Sequence, residues 1–301
     1  PAVLNLGDTI LGRISIPGEK DEFSFSGAVG QRIYFDSLQY SGRYSDWNFD
    51  VVSPSGKETI NIDFRYNKIL TLEETGNYRI TVNLDDDKTG SYGFSIINLN
   101  MIPQITYDTE IKGSLSPGSE DDLFRFTGNK GQKLFFDRIT KGGNMNWALY
   151  DAQNKEIASN SSFNDIEYYL PEDGEYILAL RGGSAFTSTI DYSFEIITPD
   201  EITTPITLGS NANPSSIYGE ITEKGEEDFY TFTGTPGQRI YFDRLFLNST
   251  SSSALDAEIY SPSGQKVFSR NFRSGSDLDP ITLDESGTYR VRINASEENT
   301  G

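Results

Sequence analysis

Apolar and polar residues alternate with a period of two wherever the chain is regular. Phe23 and Phe25 share one face of a segment, Ile33 and Phe35 do likewise, and Tyr78, Ile80 and Val82 repeat the pattern. That period predicts half-buried β-strands, and no helical window of comparable length competes. Turn chemistry falls between these segments, at Ser53-Pro54-Ser55-Gly56, Asp151-Ala152-Gln153-Asn154 and Ser261-Pro262-Ser263-Gly264. Gly, Asn and Gly at the last position predict a residue with positive φ in a hairpin turn. Short strands with turns every ~8–12 residues predict an all-β chain built of antiparallel β-sandwiches.

The pattern occurs three times. Gly30-Gln31-Arg32-Ile33-Tyr34-Phe35-Asp36 returns as Gly131-Gln132-Lys133-Leu134-Phe135-Phe136-Asp137 and as Gly237-Gln238-Arg239-Ile240-Tyr241-Phe242-Asp243. Each copy follows Asp-x-aromatic-x-Phe-x-Gly, at Asp21–Gly27, Asp122–Gly128 and Asp228–Gly234. Each is followed in turn by a Gly-x-Tyr element, at Tyr78, Tyr176 and Tyr289, whose tyrosine is expected to be a buried ring with its hydroxyl tied to backbone. Solenoid repeats run roughly 20–50 residues, whereas these copies are 101 and 106 residues apart. The expectation is three tandem domains over residues 1–99, 104–198 and 205–301, joined by short, stiff connectors. The first two copies end on a strand containing Tyr92-Gly93-Phe94 or Tyr192-Ser193-Phe194, while the third stops at Thr300-Gly301. The third sandwich is therefore expected to lack its last strand. The sequence is then a piece of a longer protein, or the edge stands open to another chain.

Composition removes several chemistries. With no histidine and no cysteine there is no imidazole-based triad, no thiol nucleophile and no zinc site of the usual ligands. Serine–lysine and paired-carboxylate chemistry remain, but no spacing recommends them, and the expectation is that the chain is not an enzyme. A net charge of −20 argues against nucleic acid and anionic membrane as partners. No run of 18 apolar residues exists to enter a bilayer. The same surplus of carboxylates supplies the oxygen ligands that calcium prefers.

The metal candidates lie just before each motif strand: Glu19 and Asp21 beside Glu22, Glu120 and Asp122 beside Asp121, and Glu226 and Asp228 beside Glu227. Asp8 and Asp108 lie upstream of the first two clusters, where the third copy has Asn211 and Asn213. The competing reading is a turn whose carboxylates accept backbone N–H groups. A second acidic run, Asp85-Asp86-Asp87, lacks the glutamate of an EF-hand loop and reads as a polar hairpin tip. Asp36, Asp137 and Asp243 close the shared strand and imply a structural hydrogen bond. Trp47 and Trp147 alternate with other apolar residues and read as core. Tyr40 and Tyr44, in a segment whose length drifts between copies, are the candidates for ligand binding.

Taken as an ordered set, Gly-x-[Ile/Leu] at Gly12, Gly113 and Gly219, the Asp-x-aromatic-x-Phe-x-Gly strand, Gly-Gln-x-[Ile/Leu] and the late Gly-x-Tyr resemble the bacterial pre-peptidase C-terminal domain. The resemblance covers nearly the whole chain, three times over. It implies a jelly-roll-like sandwich and a non-catalytic accessory role, extracellular or at the cell surface. Some relatives bind calcium, and some bind collagen or other polymers. The function expected is thus structural or adhesive, steadied by calcium, with an extracellular polymer or neighbouring domains of the same polypeptide as partner. The alternative is a carbohydrate- or polymer-binding accessory region of a larger secreted hydrolase.

Overall fold

The computed structural model describes residues 1–62, 64, 66–85, 87–183, 186–210, 212–243, 245, 255–272 and 280–295. Among them no α-helix occurs, and two short 3₁₀ turns interrupt the strands. No helix is long and apolar enough to cross a membrane.

In the first copy, one sheet runs Ala2–Val3, Lys20–Gly27, Gly76–Leu84, Trp47–Val52 and Glu58–Ile62 in spatial order. The other runs Thr9–Ile14, Gly90–Asn98, Arg32–Tyr40 and Lys68–Thr71. The inner faces meet in an aromatic core that includes Phe25, Phe35, Phe49, Phe64, Tyr78 and Phe94. The second copy repeats the order: Asp121–Gly128, Gly174–Gly182, Met145–Tyr150 and Glu156–Asn160 in one sheet, and Ile111–Leu115, Ile190–Ile197, Lys133–Lys141 and Ile166–Tyr169 in the other. The third builds the first sheet fully, from Glu201–Pro205 through Glu227–Gly234, Gly287–Ala295, Leu255–Tyr260 and Lys266–Asn271. Of its second sheet, the described residues form one short pair, Arg239–Ile240 with Ile281–Thr282. Residues 296–301, on which the expected loss of the last strand partly rests, lie outside the described residues.

The strands are antiparallel as expected, except at the entry to each copy. Ala2–Val3 and Glu201–Pro205 pair in parallel with the motif strand, and Gln104 makes a single parallel bridge to Arg125. The next N–H of each, from Leu4, Ile105 and Ile206, donates to Ser24, Arg125 and Thr231 at 2.8 Å. Residues 201–205, read from the sequence as connector, are an edge strand.

The repeated residues have local jobs. Gly30, Gly131 and Gly237 have φ of 78°, 78° and 79°, and each donates its N–H to Leu72, Leu170 or Leu283. The adjacent Gln31, Gln132 and Gln238 accept from the backbone three residues back through their side-chain oxygens. Gly56, Asn154 and Gly264 take the positive φ that the turn sequences predict. Tyr78, Tyr176 and Tyr289 are fully buried, and each donates its hydroxyl to the carbonyl four residues earlier. Removing one such hydroxyl leaves a partly buried carbonyl short of a donor. Tyr176→Phe is therefore expected to cost about 1 kcal/mol in urea unfolding, with the slope of the transition unchanged.

Candidate functional site

The acidic turns are closed by their own backbone. Glu19 accepts N–H bonds from Ser15 and Ile16 at 2.5 and 3.1 Å. Glu120 accepts from Ser116 at 2.6 Å, and Glu226 from Thr222 and Glu223 at 2.6 and 2.8 Å. The aspartates two residues on face a different donor. Asp21 and Asp122 each accept a tyrosine hydroxyl, from Tyr92 and Tyr192, at 2.6 Å. Asp228 accepts from Tyr230 at 3.2 Å. Burial pushes the Asp122 and Asp228 carboxyls up, and it raises Tyr92 and Tyr192 as well.

Upstream, Asp8 accepts from Asn5, and Asp108 (φ 55°) holds Thr198 through two bonds of 2.8 and 2.7 Å. Asn211 lies outside the described residues. Among the described residues no group of three or more acidic side chains comes together in a way that could hold a metal. At the hairpin tip, Lys88 pairs with Asp46 at 2.8 Å and Asp85 at 3.4 Å, while Asp86 is outside the described residues. Tyr40 is 38% exposed, with its ring set edge-on to Phe64, and Tyr44 sits in a 3₁₀ turn. Trp47 and Trp147 are core, their indole N–H groups donating to Ser41 and Asn164 carbonyls.

What the structure brings together, and sequence reasoning missed, lies on the outer face of the shared Gly-Gln strand. The segment Ile33–Asp36 is buried at every position rather than at alternate ones. Its inner residues fill the first core. Its outer residues, Tyr34 and Asp36, meet the start of the next motif strand. The Tyr34 hydroxyl donates to Asp121 at 2.6 Å, and Asp36 accepts the Asp121 N–H at 3.0 Å. Asn67 spans the two carboxylates, donating to Asp36 at 2.9 Å and Asp121 at 2.6 Å. Around this knot Ile69, Leu99, Ile102, Leu123, Ile177 and Ala179 form a separate apolar cluster. Burial and the neighbouring Asp121 hold Asp36 well above the ordinary carboxylate range, and burial pushes Asp121 up to about 6.

One copy later the same face does the same work with other chemistry. Lys133, almost fully buried, reaches Glu227 at 2.8 Å, Glu167 at 3.2 Å and the Gly225 carbonyl at 2.7 Å. Glu227 also binds Arg292; burial opposes its ionisation, but these two cations hold it below its usual value. Asp137 takes Lys224 at 2.7 Å. Phe135 lies so near Gly225 (φ 77°) that a Cβ there would crowd its ring at 3.0 Å. In the third copy the corresponding Arg239, Tyr241 and Asp243 are exposed. The recurrent aspartate is thus a junction residue wherever a further copy follows it within the described chain.

No family model matches the chain, and no curated protein matches it. Among solved structures it is similar to the pre-peptidase C-terminal domain of a collagenase from Bacillus anthracis, at 22% identity over 32% of this chain and 93% of that one, with a TM-score of 0.27. It is also similar to PliG of Aeromonas hydrophila, a periplasmic inhibitor of g-type lysozyme, at 17% identity over 32% and 95%, with a TM-score of 0.25. The CUB1-EGF-CUB2 region of human MASP-1/3 aligns at 9% identity over 62% and 99%, with a TM-score of 0.18.

Proposed function

We propose that the chain is a non-catalytic, secreted or cell-surface array of three β-sandwich domains that works as a stiff structural spacer. The observation that carries this reading is the pair of junctions, each of which buries polar side chains of one copy in bonds to the next. Buried directional contacts of this kind specify one arrangement and resist bending. An adhesive role through loop aromatics gets less support, since the Tyr40 ring packs against Phe64.

The absence of cysteine makes the test direct. Spin labels on Asn77→Cys and Thr288→Cys, both exposed, report the distance from the first copy to the third. A stiff spacer gives one narrow distance distribution, which broadens when Asp36 and Lys133 are both replaced by alanine. A broad distribution in the otherwise unaltered chain overturns the reading. Calcium has no part in this proposal, because the acidic turns already have donors. Excess chelator is expected to leave the melting temperature unchanged in calorimetry, and a fall of several degrees would restore the metal.

A further inference from the structure

In the first two copies one strand lies at the centre of the second sheet: Gly90–Asn98 between Thr9–Ile14 and Arg32–Tyr40, and Ile190–Ile197 between Ile111–Leu115 and Lys133–Lys141. In the third copy the two flanking segments are residues 216–221 and 239–243. Between them lies a groove of about 680 Å³, walled by Ile221, Ile240 and Phe242 and floored by Phe232 and Val291.

The sister copies say what chemistry fills such a groove. Tyr92 and Tyr192 cover Gly12 and Gly113, where any Cβ would run into the ring, and donate their hydroxyls to Asp21 and Asp122. Two residues on, Phe94 and Phe194 pack edge-on against Phe23 and Phe124, at 5.7 and 5.4 Å. The third copy keeps the glycine, as Gly219, and the acceptor, as Asp228. Where the others have Phe23 and Phe124 it has Tyr230, whose hydroxyl lies over Gly219 and takes the longer bond to Asp228. Tyr230 therefore stands where a strand's tyrosine would sit.

We propose that this groove is a β-strand acceptor site for an extended segment of pattern Tyr-x-Phe-x-Ile, pairing between residues 216–221 and 239–243. The incoming tyrosine displaces the Tyr230 hydroxyl from over Gly219 and takes over its bond to Asp228. The Tyr230 ring then turns to the place that Phe23 and Phe124 hold in the other copies, where the incoming phenylalanine packs on it. Main-chain pairing supplies affinity and the alternate side chains supply selectivity, as in other strand-addition complexes.

The test uses the full 301-residue chain and a synthetic peptide with the sequence of residues 90–98, Gly-Ser-Tyr-Gly-Phe-Ser-Ile-Ile-Asn. Calorimetric titration is expected to show saturable one-to-one binding, with hydrogen-exchange protection appearing at residues 216–221 and 239–243. A peptide with Phe in place of Tyr loses a bond to a carboxylate, so it should bind roughly tenfold more weakly. That difference should shrink in Asp228→Asn, whose amide oxygen is a neutral acceptor, and vanish in Asp228→Leu, which has none. No binding at millimolar peptide, binding equal to that of a scrambled peptide, or protection confined to other residues would each overturn the assignment.

Discussion

Replacing Lys133 with methionine should destabilise the chain by about 3 kcal/mol, the low end of what removing one partner of a buried ion pair costs. The low end applies because Arg292 still faces Glu227 after the ammonium has gone. The loss has two sources: Glu227 gives up a contact of 2.8 Å away from water, and the Gly225 carbonyl gives up its donor. In calorimetry the transition of the third copy should fall by more than ~10 °C. Pairing the change with Glu227→Gln removes the stranded charge and should recover much of the loss, as apolar or neutral replacements of both partners commonly do. An unaltered melting profile in Lys133→Met would mean that the second junction contributes nothing to stability.

The second large effect is a dependence on pH at the first junction. Asp121 carries a folded-state value of about 6 against an ordinary aspartate near ~3.9, so the folded chain holds its proton more tightly than the unfolded one. Its contribution is complete below pH ~4 and is lost as pH rises through 6, which amounts to about 3 kcal/mol across that window. Asp36 is shifted in the same direction, by burial first and by Asp121 second. Asp36→Asn removes one of the two facing charges while keeping the shape. Its melting temperature should approach or exceed that of the parent at pH 8 and fall behind it at pH 4.5. Parallel curves for parent and variant across this range would refute the upward shift of these two neighbouring carboxyls. The comparison must be between the two chains, because toward the acid end, below pH ~4.5, Glu258, drawn down to about 2 by Tyr260, Lys266 and Arg292, adds an opposing slope.

The strands, the positive-φ turns and the core place of Trp47 and Trp147 were legible because each depends on neighbours a few residues away. The junctions were not, since Asp36 finds its partner 85 residues downstream and period-two alternation does not distinguish a face toward solvent from one toward the next copy. A signal existed nonetheless. Tyr78-Arg79-Ile80-Thr81-Val82 alternates, whereas its counterpart Tyr176-Ile177-Leu178-Ala179-Leu180 is apolar throughout. Strands covered on both faces by apolar neighbours read as unbroken apolar runs. The second copy meets the first on that sheet through such a cluster, whereas the third meets the second there through Glu227 and Arg292 and keeps its alternation. The acidic turns left two readings open in the sequence for the opposite reason. A carboxylate before a strand has the same sequence appearance whether it faces a cation or its own backbone N–H groups, and Glu19, Glu120 and Glu226 all face the latter.

The two junctions differ in how they would fail under a pull along the chain. The first rests largely on the non-directional burial of Ile69, Leu123, Ile177 and their neighbours, which weakens gradually as surfaces slide. The second rests on a few short ionic contacts through Lys133 and Lys224, which hold until they are stretched and then let go. Both junctions hold the copies in one arrangement at rest; under tension the first would yield by degrees and the second all at once.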